Sequence, residues 1–430
     1  MTRTAQPDGA AAGDGGANGP GGGKGADGPG GAGGAKGAGG AGGSDGAGGP
    51  DGAGAVSRAR RILPVLGSLQ AYIGLILIVA IGVITKGDVF LNQTNLTNAV
   101  GAFATRGILA VGVTLVILAA GIDLSVGSLM GFASMSAAIM VAHHDMPVWL
   151  IVPACMLIGA GFGLANGIGT AWLKIQSFVM TLAMMSIARG LDRKMSDNES
   201  VGTLVAGPDG ELTENSESFQ KLGTPDNNVL EGILGPDGIY FPVLAFLMVC
   251  VVFHLLLSRT TFGRHIYAVG GNPTAARLSG INVTFVIIAV FTLSGMLAGF
   301  AGPIDAAYSV SADPQAGYTY ELDAIAAAVI GGASLAGGKG TIIGTFVGAL
   351  ILTLLDNVLG LNAVDDNWQL VIKGSIVVLA VVLQRPDLLQ SIKNGIDRLR
   401  GGRSRTGPGR TPKAPVPGPA PAPAAEETPR

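Results

Sequence analysis

Long apolar runs constrain this chain more than any other feature. They recur about ten times between residues 69 and 384, and short polar segments separate most of them. Most are close to the ~20 residues that a helix needs to cross the hydrocarbon core of a bilayer. Charged residues make up only 13% of the sequence, against about 25% in ordinary globular domains. The pattern predicts an all-α fold, a polytopic transmembrane helical bundle of about ten spans with disordered N- and C-terminal tails.

The predicted spans differ in length. Spans three and eight are shorter than a full crossing requires, so either could be partly re-entrant, which is tolerated only where neighbouring helices bury the segment. In chain order the ten spans are 69–85, 99–120, 126–142, 148–172, 178–191, 241–257, 285–303, 322–335, 341–360 and 368–384.

Two polar tails flank the apolar region. Residues 1–55 are mostly Gly, Ala and Asp, and they contain no run that could bury enough surface to offset chain entropy. They also lack the basic start and apolar core of a signal peptide. Residues 391–430 are basic and rich in Pro. We therefore expect disordered tails at 1–55 and 391–430 and a transmembrane domain over 56–390.

The charges of the loops predict the orientation in the membrane. Three Arg residues at 58–61 precede the first span, and the loop 259–284 holds Arg but no Asp or Glu. The long loop 192–239 holds ten acidic and three basic residues. Because basic loops stay in the cytoplasm, we expect both termini and the loop 259–284 inside and the acidic loop outside.

A short helix is predicted within the basic loop. Asn272 suits the N-cap, Pro273 the first helical position, and Gly280 the C-terminal stop. A short basic helix at the membrane surface needs a partner or a layer of headgroups. We interpret it as a docking element for a cytoplasmic protein, and contact with lipid headgroups alone is the alternative.

Three segments carry a family resemblance. FGRHIYAVGGNPTAARLSGI at 262–281 resembles the cytoplasmic coupling loop of ribose/xylose-type sugar permeases, the membrane subunits of bacterial ABC importers. GILAVGVTLVILAAGIDLSVGSLMG at 107–131 and the stretch 321–374 are similar to the same family, in the same order. The resemblance spans roughly residues 68–385 and leaves both tails and parts of the acidic loop without a counterpart.

The resemblance implies a function and a set of partners. It implies a permease subunit in the bacterial cytoplasmic membrane that translocates a monosaccharide of the ribose/xylose class and forms a homodimer in membrane lipid. An ABC ATPase would bind ATP and Mg²⁺, and an extracytoplasmic sugar-binding protein would dock outside. The chain itself would bind no cofactor and would not be an enzyme. It implies an ATPase-coupling site formed by Gly271, Asn272, Pro273, Ala275, Ala276, Arg277, Leu278, Gly280 and Ile281.

Within that site the side chains suggest separate tasks. Ala275 and Ala276 keep the helix thin, Leu278 and Ile281 are expected to anchor it in an apolar groove, and Arg277 is expected to meet acidic groups or carbonyls.

Polar residues at membrane depth are candidates for the translocation path. An acid beside apolar spans is costly and is usually functional, so Asp123 stands out, although it could instead cap span three. Arg106, Arg189, Asp356 and Lys373 could face a path, snorkel, or pair inside the bundle. The candidate path comprises Asp123, Ser125, Asn166, Thr181 and Asn357, for which hydrogen bonds within the bundle are the structural alternative.

Glycines at steps of four indicate close helix packing. At that spacing they line one helix face and let another backbone approach. Packing alone explains them, although sliding spans would also use such faces. The sets are Gly159, Gly163 and Gly167; Gly295 and Gly299; and Gly340, Gly344 and Gly348.

No catalytic motif is present in the sequence. GGASLAGGKG lacks both the spacing and the Ser or Thr that a phosphate loop requires. His143, His144 and Asp145 read as a polar turn rather than a metal site, and nothing indicates nucleic acid. A secondary transporter or channel that needs no ATPase is the alternative function, and a membrane scaffold is a third.

Overall fold

The computed structural model describes residues 72–224, 228–229 and 239–383, and both predicted tails lie outside these ranges. The helices are α1 (Tyr72–Phe90), α2 (Gln93–Leu118), α3 (Val126–His144), α4 (Val148–Ala171), α5 (Ser177–Met195), α6 (Glu214–Gln220), α7 (Phe241–Arg259), α8 (Thr261–Gly271), α9 (Pro273–Leu278), α10 (Val283–Tyr308), α11 (Tyr320–Ile330), α12 (Ile342–Leu361) and α13 (Asp366–Leu383).

Two short antiparallel strand pairs lie among the loops. β1 (Val201–Gly202) pairs with β4 (Ser311–Ala312), with Val201 opposite Ala312. β2 (Asn228–Val229) pairs with β3 (Ile239–Tyr240). The first pair ties the long loop after α5 to the segment after α10, so these two connections lie at the same end of the bundle.

Seven helices among the described residues are long and apolar enough to cross a bilayer: α1, α2, α3, α4, α7, α10 and α12. The predicted all-helical polytopic membrane fold is thus confirmed, whereas the predicted count of ten spans is not. Spans five, eight and ten correspond to α5, α11 and α13. Span three is a full 19-residue helix, α3.

Predicted spans five and eight differ from the helices of the structure for physical reasons. α5 continues to Met195, so Asp192 lies in a helix rather than in the predicted loop 192–239, and Arg193 and Lys194 fill its last turn. α11 has only 11 residues, about 16 Å at 1.5 Å per residue, which is half of the hydrocarbon thickness. Span eight is therefore a half-length helix, as the re-entrant alternative allowed.

Helix α10 is the centre of the packing. It packs most extensively against α4 and also lies against α3 and α2. Helix α2 buries almost every residue from Phe103 to Leu118, because it is apolar around its whole circumference and neighbours surround it. α1 by contrast leaves most of its side chains exposed, which suits a helix that faces lipid.

Glycine faces let α4 and α10 come into backbone contact. A Cβ added to Gly159 would lie under 3.0 Å from Gly299, and one added to Gly295 would lie equally close to Gly163. Gly167 approaches the backbone of Ile288 in the same way. The predicted close approach is confirmed for this pair of helices.

The third glycine set is only partly correct. Gly344 and Gly348 on α12 do meet the backbone of α11, at Gly331 and Ala327. Gly340 precedes the helix and has φ +148°, so it belongs to a loop and not to the helix face. The sequence step of four could not reveal where the helix begins.

The α4–α10 contact yields a test with a matched control. Gly163→Val should lower the free energy of unfolding in detergent by about 1–3 kcal/mol, because overpacking a close contact costs that much. Gly161 lies on the same helix, and a Cβ added there would have nothing within 4 Å. Gly161→Val therefore changes the helix propensity of α4 as much as Gly163→Val does, without overpacking a contact. Equal unfolding midpoints for the two variants would contradict the close approach.

Candidate functional site

The predicted surface helix forms with the predicted ends. The Asn272 side-chain oxygen accepts the Ala275 N–H at 2.9 Å, and Pro273 occupies the first turn. At the other end the Ile281 N–H donates to the Ala276 carbonyl and the Gly280 N–H to the Arg277 carbonyl, each at 3.0 Å. This is a Schellman stop, which needs the left-handed φ of +83° at Gly280.

The side chains of this segment point in two directions. Leu278 is 84% exposed, and Ala275 and Arg277 are exposed as well. Ala276 is 5% exposed and packs in the core, and Ile281 is half-buried against the same core. Ile281 contacts the chain's own bundle in this arrangement, and the expectation that it also anchors a partner stays a prediction. An apolar partner would meet Leu278.

A glycine-rich loop contacts α8, the helix that directly precedes the surface helix. The Gly338 N–H donates to the Leu118 carbonyl at 3.0 Å, and the Tyr267 hydroxyl donates to the Gly340 carbonyl at 2.9 Å. A Cβ at Gly270 would lie under 3.0 Å from Gly338. The stretch GGASLAGGKG thus joins the ends of α2 and α8 through backbone contacts and has a structural role here.

Asp123 organises a buried hydrogen-bond cluster. Its carboxylate accepts the Ser125 N–H at 3.0 Å, the Ser125 hydroxyl at 2.6 Å and the Ser294 hydroxyl at 3.0 Å. The Asn166 amide donates to the Ser125 hydroxyl oxygen at 2.9 Å. Asp123 therefore fixes the turn that leads into α3 and joins this turn to Ser294 on α10, whereas the helix start itself, at the N-cap Ser125, has no side-chain cap.

Two of the other predicted path residues relate differently to this cluster. Thr181 adjoins it, because its hydroxyl oxygen accepts the Leu124 N–H at 3.2 Å. Asn357 is elsewhere, on α12, where it exchanges two hydrogen bonds with Asn95 at 2.7 and 3.1 Å. Asp123, Ser125, Asn166 and Thr181 are all fully buried. The structure thus brings four of the five candidates together in a closed core.

A second polar cluster contains three of the charged residues whose role the sequence left open. Arg106 on α2 contacts Asp356 on α12 in a tight ion pair, and Lys373 on α13 lies 2.9 Å from the other oxygen of Asp356. Both cations also approach Asp323 on α11, at 3.8 and 3.5 Å. We call Arg106, Asp323, Asp356 and Lys373 the charge quartet. Pairing inside the bundle is confirmed for its three predicted members.

Asp323 and Tyr320 were missed by the sequence reasoning. Tyr320 places its ring 4.9 Å from the Arg106 guanidinium carbon, a cation–π geometry. Asp323 falls within the predicted eighth span, so the argument that singled out Asp123 would have found it, since acids at membrane depth are costly.

Arg189 donates its hydrogen bonds to the backbone of a loop rather than to either polar cluster. It donates to the carbonyls of Ala316 at 2.6 Å and Pro314 at 3.3 Å. The same loop lies against the first turns of α3, where a Cβ at Gly127 or Gly131 would collide with the carbonyl of Gly317 or Ala316. Arg189 therefore anchors the segment that leads into the half-length helix α11.

The turn after α3 is structural. Asp145 adopts a left-handed conformation at φ 46° and binds the segment around α6, accepting from Thr213 at 2.9 Å and, through its carbonyl, from Asn215 at 2.7 Å. Within the described part of the chain, no group of three His, Cys, Asp or Glu residues could hold a metal ion.

Comparison with known proteins decides the family. The family model described as "Branched-chain amino acid transport system / permease component" matches residues 95–381. This chain belongs to that permease family. The match covers both polar clusters and the surface helix, so the geometry above is that of a permease, and the resemblance seen in the sequence is confirmed.

Curated relatives of this permease are sugar permeases. The ribose import permease protein RbsC of Escherichia coli (strain K12) is 41% identical over 314 residues, which cover 73% of this chain and 92% of that protein. RbsC of Bacillus subtilis (strain 168) is 39% identical over 321 residues, covering 75% and 94%. The xylose transport system permease protein XylH of Haemophilus influenzae is 36% identical over 359 residues, covering 73% and 96%. No solved structure matches.

The Asp123 cluster yields a stability prediction. Asp123→Ala should lower the free energy of unfolding by about 1–3 kcal/mol, because it leaves the buried Ser125 and Ser294 hydroxyls without their acceptor. Asp123→Asn keeps one acceptor oxygen and should lose less. The measurement is thermal unfolding in detergent, with Asp209→Ala at an exposed position as the control. A loss no larger than that of the control would contradict the proposed role of the carboxylate.

Proposed function

We propose that this chain is the transmembrane permease subunit of an ATP-driven ABC importer that translocates a monosaccharide of the ribose/xylose class across the bacterial cytoplasmic membrane. The observation that carries the proposal is its membership of the permease family, with ribose and xylose permeases among its relatives at 36–41% identity. The wide coverage of both chains supports transfer of the whole activity rather than of one segment.

The surface helix α9 is the proposed contact with a separate ABC ATPase. That partner would bind ATP and Mg²⁺, and this chain would take no part in hydrolysis. Leu278 supplies an exposed apolar side chain and Arg277 a neighbouring positive charge. An apolar anchor with a charge at its rim is a common arrangement at protein interfaces. Both termini would then lie in the cytoplasm, on the side of α9.

The contacts of α9 suggest how a movement of the ATPase would reach the membrane. α9 follows α8 directly, and Gly270 at the end of α8 packs against Gly338 and the end of α2. Because these are backbone contacts without flexible side chains between them, a displacement of α8 would be passed to α2 and to the loop between α11 and α12.

The candidate path is proposed to open and close. Asp123, Ser125, Asn166 and Thr181 are inaccessible in this conformation. They could line the route only in a state that separates α3 from α10, whereas Asn357 is half-buried and nearer to the surface. Alternating access in transporters is commonly a rocking of one group of helices against another.

The remaining partners follow from the same proposal. A second copy of the permease would complete the central route. An extracytoplasmic sugar-binding protein would dock on the acidic loop, on the face opposite α9. α1 and α13 carry exposed apolar residues such as Ile76, Leu77, Val371 and Val378, which would face membrane lipid or the second copy.

Leu278 gives the sharpest test of coupling. The complex of permease, cognate ATPase and binding protein would be reconstituted in proteoliposomes with ATP on the ATPase side, and uptake of labelled D-ribose and D-xylose measured. Leu278→Asp should abolish about 90% or more of ATP-dependent uptake, because a charge replaces the apolar contact and a loss of 1.4 kcal/mol already weakens binding tenfold. Leu278→Met keeps the apolar contact and should retain uptake.

Two further results would decide against the proposal. Uptake by the permease alone, without the ATPase, would favour the secondary transporter. ATP-dependent uptake that is equal in the Asp and Met variants would remove α9 from the coupling site. Size-exclusion chromatography of both variants would show that each remains folded.

A further inference from the structure

The charge quartet joins four separate helices at membrane depth. Arg106 lies at the centre of the 26-residue helix α2, about 20 Å from either end at 1.5 Å per residue. Its partners come from α11, α12 and α13, and each cation lies within 4 Å of both carboxylates. Charges at this depth are costly unless they are paired or reach a water-filled cavity.

The quartet is paired and partly accessible at the same time. The side chains of Arg106, Asp356, Lys373 and Asp323 are 25%, 17%, 16% and 11% exposed. In the Asp123 cluster, by contrast, Asp123, Ser125 and Asn166 have no exposure. A group that served only to fasten helices together would gain nothing from remaining open, whereas a group that meets a solute must be reachable.

The groups around the quartet suit a solute with many hydroxyls. Two carboxylates offer acceptors, and a guanidinium and an ammonium offer donors. Next to them stands the ring of Tyr320, which has one face on the Arg106 guanidinium and can offer its apolar surface to the C–H groups of a sugar ring. A few convergent polar groups beside an aromatic surface are typical of small-molecule sites.

The charges of the quartet sum to zero. Two cations and two carboxylates, each cation within 4 Å of both carboxylates, balance one another, and the Asp305 carboxyl, which interacts with Arg106 from α10, adds a further acidic group. A hydroxyl group can replace one partner of an ion pair as donor or acceptor without a change in charge. This arrangement therefore favours a neutral solute over an anionic one.

We propose that the charge quartet, together with Tyr320, is a contact site for a neutral polyhydroxylated solute on the translocation route. The proposal rests on the proposed function and deepens it, since it names both the place and the chemistry of solute contact. It assigns the open contact to the quartet rather than to the closed Asp123 cluster. Within the quartet Arg106 is the residue with the greatest exposure.

Thiol labelling tests whether the site is reached. The chain has free cysteines at Cys155 and Cys250, which would be replaced by Ala. In that background Tyr320→Cys would be compared with Ser125→Cys at the closed cluster, in the reconstituted complex with ATPase and binding protein. A membrane-impermeant methanethiosulfonate reagent should modify the first at least about tenfold faster. D-ribose or D-xylose, whichever the complex transports, should slow that reaction.

The variant Arg106→Lys distinguishes a role of Arg106 in solute binding from a role only in holding the helices together. Lysine keeps the charge and the ion pairs but loses the planar fork of donors. The KM for uptake should rise about tenfold, the equivalent of one hydrogen bond to a charged group, while the thermal midpoint stays close to that of the unmodified permease. A fastening role alone would instead lower the thermal midpoint and leave the KM unchanged.

The outcomes distinguish this inference from the proposed function. If the unmodified complex shows no ATP-dependent sugar uptake, both are overturned. If uptake is normal but Tyr320→Cys reacts no faster than Ser125→Cys, or the transported sugar gives no protection, the contact site alone is overturned. Faster modification with protection by the sugar, and a raised KM in Arg106→Lys, would support it.

Discussion

Every polar group at membrane depth must find its partner within the protein, because the hydrocarbon core offers no hydrogen bonds. Three arrangements in this chain answer that requirement in different ways. The Asp123 carboxylate is enclosed by serine hydroxyls and a backbone N–H. Arg189 donates hydrogen bonds to the carbonyls of a loop. The charge quartet is balanced internally and still partly open. Whether a polar group has partners within the protein and whether it can be reached from outside are thus separate properties. The charge quartet has both, and it is the proposed site of contact with solute.

Close helix packing makes these arrangements possible. Glycine faces bring α4 against α10 and α12 against α11 at backbone distance, where dispersion contacts and small side chains stabilise helix association in lipid. The second contact has a particular consequence, since α11 is too short to span the bilayer. Held against α12, it presents Tyr320 and Asp323 beside Arg106. A half-length helix therefore places polar side chains beside Arg106 in the middle of the long helix α2.

The surface helix and the charge quartet share structural supports. α9 continues from α8, and the end of α8 packs against the end of α2 and the loop between α11 and α12. The same three helices, α2, α11 and α12, carry Arg106, Asp323 and Asp356. Under the proposed function, one set of rigid backbone contacts would connect the ATPase side with the solute contact site.

Local signals in the sequence determined the helical membrane fold, the ends of α9 and the glycine faces of α4 and α10. Apolar runs, the Asn272 cap and the Gly280 stop act over a few residues, so they are legible without any tertiary information. The sequence also indicated that span eight is short, whereas tertiary structure alone decided that Ile281 faces inward and that Arg106 meets Asp356, which lies 250 residues away along the chain. Partners so distant in sequence leave no periodic trace, because their contact depends on how whole helices pack.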